Sequence, residues 1–438
     1  MKENIQNSAI ESEVRSYSRS FPTTFTNARD SYLYDNNNQR YIDFLSGAGT
    51  LNYGHNPAKL KQKVLEYVSQ NGIIHGLDMN TAVRENFLTA FKHIVLEPRN
   101  LEYKIQFPGP TGTNAVEAAI KLARKVKKRR TVLSFKNGFH GMTYESASIS
   151  SNAYYHQVEG VQTQNPHFLP FGATASKDAI SQLNLWLSDY LKGNETPAAI
   201  IVETVQGEGG IHVASDQWLN QLQNACREND ILLIVDDIQA GCGRTGTFFS
   251  FESADIQPDM VLLSKSISGY GLPLSLVLIK PDLDCWKPGE YSGTFRSNNL
   301  ALLTATEALH QYWEAPTFQK NLQTKSRNVQ VMLAKLKLTY PNLICDVRGK
   351  GLMWGVEFKM PEHAKHVSQL CFLRGLIIET SGERNQVLKL LPALTIENSV
   401  LQEGVQKIET SLQQLANSIG KNINTVVAKE KQLEEVCL

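Results

Sequence analysis

Cysteine is scarce in this 438-residue chain, and its six copies, Cys226, Cys242, Cys285, Cys345, Cys371 and Cys437, are scattered. No CxxC pair occurs and no histidine stands at ligand spacing, which argues against a zinc site or a disulfide framework and fits reduced thiols. Long apolar runs are also missing: nowhere do about eighteen apolar residues stand together, so no segment is expected to span a bilayer. The opening residues, MKENIQNSAIESEVRS, lack the apolar stretch of an export signal, and the expected location is the cytoplasm. Asn194-Glu195-Thr196 fits a glycosylation sequon, read here as chance. Neither sign of charge dominates. Lys and Arg number 44 against 43 Asp and Glu, so electrostatics give no case for a nucleic-acid or membrane partner. The densest basic run, Arg124 to Arg130, falls at the end of an expected helix, where cations complement the dipole, and reads as a solvated helix end.

What is present is an ordinary globular composition, 42% hydrophobic and 20% charged, in a chain long enough for about two to three domains. The most legible stretch runs from Ile231 to Lys265. Ile231 to Val235 is an unbroken apolar run, the pattern of a strand buried on both faces of a parallel sheet, and it ends in Asp236 and Asp237. A second run, Met260 to Leu263, ends in Ser264 and Lys265. An acid and a lysine are thus delivered to strand ends of one sheet, where open α/β folds place their ligand crevice. With no metal-ligand cluster nearby, that pair suits an aldehyde cofactor that forms a Schiff base with lysine and has its pyridine nitrogen held protonated by an acid, as pyridoxal phosphate does. The plainer alternative is a buried ion pair between the two.

Taken in order, residues 1 to about 25 read as a polar leader with a short helix. Tyr32, Tyr34, Tyr41 and Phe44 around Asp35-Asn36-Asn37-Asn38 predict a hairpin. Gly47 and Gly49 lack the third glycine and the flanking elements of a dinucleotide fingerprint. From about Pro57 to Pro98 the pattern is helical. Asn114 to Lys127 is a clear helix, with Val116, Ala119, Ile120 and Ala123 on one stripe. Gly112 and Thr113 therefore stand at a helix N-terminus suited to a phosphate, although an N-cap explains Thr113 equally well. Thr131 to Phe135 predicts a strand leading to Phe139 and His140, and Ala198 to Val202 another, ending at Glu203 before the glycine-rich loop of Glu208. Leu274 to Ile279 reads as a further buried strand. Alternating strands and helices from about residue 60 to 300 indicate one parallel sheet covered by helices. Two helices lead out from about Asn298. Beyond Pro341, VRGKGLMWGVEF, GLIIET and VLKLLPALTI read as strands of a smaller α+β unit, and the tail after Lys421 as charged and exposed.

TGTNAVEAA, FHG, ETVQGEGG, VDDIQAGCGRTG, LSKSISGYGLP and GTFRSNN stand in this order along the chain. Together they resemble the class III, fold-type I pyridoxal-phosphate aminotransferases over nearly the whole length, from about Tyr32 to Ile396. The resemblance implies an α/β fold: a large domain (58–310) with a mixed, mostly parallel sheet, and a smaller α+β domain built from the N-terminal segment (1–57) and residues 311–438. It also implies pyridoxal 5'-phosphate as the cofactor, with Lys265 forming the imine and moving the proton, and Asp236 keeping the ring nitrogen protonated. Phe139 should stack on the ring, Gln239 should touch the ring oxygen, and Gly112 with Thr113 should hold the phosphate. His140 and Glu203 join this cofactor set. Thr294 should complete the phosphate cup from a neighbouring subunit, making a homodimer, or a dimer of dimers, the expected assembly.

A finer resemblance, carried by AGTLNYGHN, DDIQAGCGRTGTFFSFE, WKPGEYSGTFRSNN and GLIIETSG, is to the diaminobutyrate–2-oxoglutarate aminotransferases. It implies transfer of an amino group from L-glutamate to L-aspartate 4-semialdehyde. The substrate residues it points to are Glu208, Lys389 and Tyr53. Many ω-aminotransferases of this class carry an arginine after FHG to grip a substrate carboxylate, and Met142 stands there here. They also pair the QGEGG glutamate with an arginine, whose position Lys389 occupies. Ornithine, lysine or GABA as the amine is the nearest alternative. A non-catalytic protein keeping the fold is the alternative from another class.

Overall fold

The computed structural model describes residues 10–14, 20–155, 168–172 and 177–436. Strands β1 (Phe25–Arg29), β2 (Tyr32–Asp35) and β3 (Arg40–Asp43) open the chain, followed by helices α1 (Ala58–Ser69) and α2 (Ala82–Ala90). Next come β4 (Lys104–Gln106), α3 (Gly112–Lys127), β5 (Val132–Leu133), α4 (Tyr144–Ser148), α5 (Lys177–Gly193) and β6 (Ala199–Val202). A two-residue pair, β7 (Val205–Gln206) and β8 (His212–Val213), precedes α6 (Asp216–Glu228), β9 (Leu232–Asp236), β10 (Met260–Leu263) and β11 (Leu276–Ile279). Helices α7 (Asn299–Tyr312) and α8 (Thr317–Thr339) lead to β12 (Ile344–Lys350), β13 (Met353–Phe358), α9 (Pro361–Leu373), β14 (Leu376–Ile377), β15 (Glu379–Ser381), β16 (Val387–Leu390) and α10 (Asn398–Val436).

The central sheet has the order β4-β11-β10-β9-β6-β5. Every residue of β6, β9, β10 and β11 is buried, as expected for strands covered on both faces. Alternation sorts their side chains. Leu232 and Ile234 join the core under α3, whereas Leu233 and Val235 join the larger core with Trp218 of α6. Each such side chain contributes roughly 1.5–3 kcal/mol by burial, so β9 is fixed in register with a carboxylate at its end. Strands β10, β9, β6 and β5 are parallel, but β11 runs against both its neighbours. The parallel reading of residues 60–300 is corrected there: residues 264–275 hold only one 3-10 turn at Lys265–Ser268, and without a crossover helix the next strand returns antiparallel.

The expected hairpin is β2 and β3, with Asp35 Oδ1 accepting from the amides of Asn37 and Gln39, 2.9 Å each. β1 adds a strand that the polar leader did not announce, and most of the leader's expected helix lies outside the described residues. The helical stretch expected over 57–98 breaks between Gln70 and Thr81, where Gly72 and Gly76 fall. β14 pairs parallel with β3, tying the C-terminal segment to the N-terminal hairpin, while β12-β13-β16-β15 form an antiparallel sheet. The last expected strand stops at Leu390 rather than reaching Ile396, because Pro392 has no amide to give a ladder. α10 extends to Val436, and the exposure expected of the tail concerns side chains outside the described residues.

A fully buried arginine ties these parts together. Arg244, after β9, donates to Asn52 Oδ1 (2.6 and 3.2 Å), Leu352 O (3.0 Å) and Pro392 O (2.6 Å), and burial lowers its pKa to about 9. Among the described residues no helix is long and apolar enough to cross a membrane.

Candidate active site

At the carboxyl ends of β9 and β10 lies a cavity of about 170 Å³ lined by Gly112, Thr113, Phe139, His140, Gly141, Glu203, Glu208, Asp236, Ile238, Gln239 and Lys265. Nine of the residues singled out from the sequence are thus brought together. A second cavity of about 740 Å³ adjoins it and shares Phe139 and Glu208.

Asp236 ends β9 and is buried, with Oδ2 2.7 Å from His140 Nδ1 and Oδ1 accepting from the Ile238 amide at 3.2 Å. Burial disfavours a charged His140, but the hydrogen bond and charge of Asp236, with Glu203 behind, outweigh it and raise the pKa. Glu203 ends β6, accepts from the amides of Phe139 (2.9 Å) and Gly207 (3.2 Å), and is pushed by burial to a pKa of about 7. Lys265 follows β10 with φ +50°, a left-handed conformation that costs a non-glycine residue on the order of 1–3 kcal/mol. Among the described residues its amine has no hydrogen bond or ion pair. Burial lowers its pKa, against the raising effects of Glu208, Glu379 and Asp236.

The phosphate end is built differently from the sequence reading. α3 begins at Gly112, and Thr111 is its N-cap, its amide donating to Asn114 Oδ1 at 3.1 Å. Thr113 is therefore not the cap. Its hydroxyl lies in the first turn, 2.6 Å from Thr143 Oγ1 and 2.7 Å from Ser146 Oγ, beside free amides that favour an anion. Gln239 donates to Ala48 O (2.9 Å) and Glu208 Oε1 (3.2 Å), while its own Oε1 is buried without a partner. Glycine at 207 permits this, since a Cβ there would fall 1.6 Å from that oxygen.

Glu208 sits in the loop between β7 and β8 and accepts from Lys389 Nζ at 2.8 Å. Lys389 is fully buried on β16 and forms a second ion pair with Glu379 Oε1 at 2.9 Å. Its pKa is raised because the two acids outweigh burial, and Lys389 with Lys265 holds Glu208 below the ordinary carboxylate range against burial. Glu379 was not anticipated. Its signal, an acid in GLIIET facing the lysine of VLKLL, needs the strand register that only the fold supplies.

Two expected positions lie elsewhere. Tyr53, assigned to the substrate, lines neither cavity of its own chain: it is buried against Tyr312 (ring centroids 4.3 Å apart) and its hydroxyl accepts from Trp313 Nε1 at 2.7 Å. Thr294 lies on an exposed loop and does not line the cavity of its own chain. Met142 is 59% exposed and lines neither cavity.

The class III aminotransferase family model matches residues 14–412. The chain belongs to the class III aminotransferases. These are pyridoxal-phosphate enzymes acting on amino acids and keto acids. This aminotransferase is 53% identical over 406 residues to a diaminobutyrate–2-oxoglutarate transaminase of Bordetella parapertussis, covering 92% of this chain and 93% of the relative. It is 50% identical over 410 residues to one of Halomonas elongata, covering 92% and 97%. Its fold matches an ornithine aminotransferase structure from Toxoplasma gondii with a TM-score of 0.81 at 24% identity, over 94% of each chain. That likeness concerns the fold alone.

The cavity fits the family's cofactor. It offers a free lysine amine, a buried carboxylate backed by a histidine, an aromatic ring, an unpartnered acceptor for a ring hydroxyl, and a helix N-terminus for a phosphate. Among the described residues, no group of three or more His, Cys, Asp or Glu is arranged to hold a metal ion.

Proposed function

We propose that the protein transfers an amino group from L-glutamate to L-aspartate 4-semialdehyde, giving 2-oxoglutarate and L-2,4-diaminobutyrate in two half-reactions at one site. The observation that carries this reading is the Glu208–Lys389 pair, whose glutamate lines the Lys265 cavity, in a chain about half identical to transaminases of that name. Bound pyridoxal 5'-phosphate supplies an aldehyde that accepts the amino group and an electron-withdrawing ring. Lys265 Nζ takes the proton from the substrate carbon and returns it, and its lowered pKa suits an amine that must lose a proton to act. Asp236, held by His140, would face the ring nitrogen and keep it protonated. Gly112 and Thr113 would hold the phosphate, Phe139 would pack on the ring and Gln239 Oε1, buried without a partner, would accept from its hydroxyl. Glu208 covers Lys389 when an uncharged aldehyde or amine end is presented, and turns away when the α-carboxylate of glutamate needs a cation. Lysine offers that carboxylate a point charge rather than the fork of an arginine.

We also assign residues 58–310 to a large domain, with residues 1–57 and 311–438 forming a smaller one. The active form is a cytoplasmic homodimer, or a pair of dimers, with Thr294 of each chain reaching its partner's phosphate. The test is a product assay: purified protein supplied with glutamate and aspartate 4-semialdehyde should release diaminobutyrate. Faster turnover with ornithine, lysine or GABA as donor would overturn the assignment.

A further inference from the structure

Lys389 has one more acid than an ion pair requires. Its side chain is wholly buried, yet its ammonium meets two acids, donating to Glu208 at 2.8 Å and standing 2.9 Å from Glu379 Oε1 in an ion pair that lacks hydrogen-bond geometry. The two acids are held very differently. Glu379 lies directly opposite Lys389 in the β15–β16 ladder, on the edge strand of the β12-β13-β16-β15 sheet, so the pair is fixed by strand register. Glu208 lies in a loop followed by Gly209 and Gly210 and borders both cavities, whereas Glu379, about as exposed (28% against 30%), lines neither. Glu208 is thus the acid of the two that faces space a ligand can occupy. A buried ammonium left with no partner is strongly disfavoured, so a switch built on Lys389 and Glu208 alone would have to pass through that state whenever a substrate carboxylate replaced Glu208.

We propose that Glu379 is a positioning residue that keeps Lys389 partnered and in place while Glu208 exchanges with the carboxylate of the incoming amino acid. This rests on the reading of Glu208 and Lys389 as the carboxylate pair. The resident and incoming carboxylates occupy similar places relative to Glu379. It therefore lowers the barrier to exchange more than it alters the affinity of either bound state, and it acts on the glutamate half-reaction. The other half, in which Glu208 stays on Lys389, feels it only through its minor electrostatic effect on Lys265.

The test uses the pyridoxal form of the holoenzyme in rapid-mixing single turnovers, with L-glutamate and, separately, L-2,4-diaminobutyrate. Glu379→Gln keeps the shape and removes the charge. It should slow the limiting rate with glutamate by about tenfold or more, while the diaminobutyrate rate stays within about twofold of wild type. Glu379→Asp should fall between wild type and Glu379→Gln for glutamate alone, and it carries the same test if the glutamine variant does not fold. An equal loss in both half-reactions, no change in either, or a loss confined to diaminobutyrate would overturn the role. Failure of the wild-type enzyme to take either amine would instead overturn the function proposed above.

Discussion

At the scale of single residues the site is an arrangement of buried charges, and two neighbours at the end of β9 differ sharply. Asp236 meets His140, whereas Asp237 accepts from the Ser250 amide at 3.0 Å and leaves its Oδ1 without a partner. Asp236→Asn removes the charge opposing the ring nitrogen. It should lower turnover with glutamate on the order of 10²–10⁴-fold in a steady-state assay with cofactor retained, and a loss under about tenfold would count against that role. Asp237 concerns stability. Burial raises its pKa from 3.8 to about 7, above the unfolded value. Its favourable contribution is therefore complete below about pH 4 and is lost as pH rises through about 7. Asp237→Asn should flatten the change in melting temperature between pH 5 and pH 8, most of it by removing the wild-type loss at the upper end. An unchanged slope would show that Asp237 ionises freely.

Among the elements, the first turn of α3 carries the most testable claim. Thr111 and Asn114 take the capping role, which leaves the Thr113 hydroxyl and the first amides for an anion. Thr113→Val should weaken pyridoxal-phosphate retention roughly 10- to 100-fold, the scale of one hydrogen bond to a charged group, measured by absorbance titration of the apoprotein. The strands that bear Asp236 and Lys265 were legible because an unbroken apolar run ending in a charged residue has few other readings. The packing of Tyr53 was hidden because a tyrosine among glycines looks available to a ligand, and nothing local shows Trp313 and Tyr312 closing over it. Glu379 was invisible for the opposite reason. Its meaning comes from standing across a ladder from Lys389, and register is set by packing rather than by either segment alone. The reversal of β11 was likewise hidden in a stretch whose composition is that of any buried strand.

For the molecule as a whole, the described residues include apolar side chains exposed beside the loop that carries Thr294. Ile73, Ile74, Leu77 and Met79 are exposed together with Phe295, whose ring meets His75 edge-on at 5.5 Å, and Thr294 lies next to Phe295. Under the proposed homodimer, a second copy covers these side chains and brings Thr294 to a phosphate. Phe295→Asp should shift the protein toward monomer in analytical ultracentrifugation and lower activity in parallel. A variant that dissociates with full activity would separate assembly from catalysis. The family and the central sheet were legible over most of the chain's length, whereas the contacts that join its two ends, β14 on β3 and Arg244 on Asn52 and Pro392, had no local signal. The account rests on a covalent attachment at one amine. Borohydride reduction of the holoenzyme, followed by proteolysis and mass spectrometry, should find the pyridoxyl phosphate group on the peptide bearing Lys265 and nowhere else. Recovery of that group on another lysine, or of unmodified Lys265 after complete reduction, would contradict it.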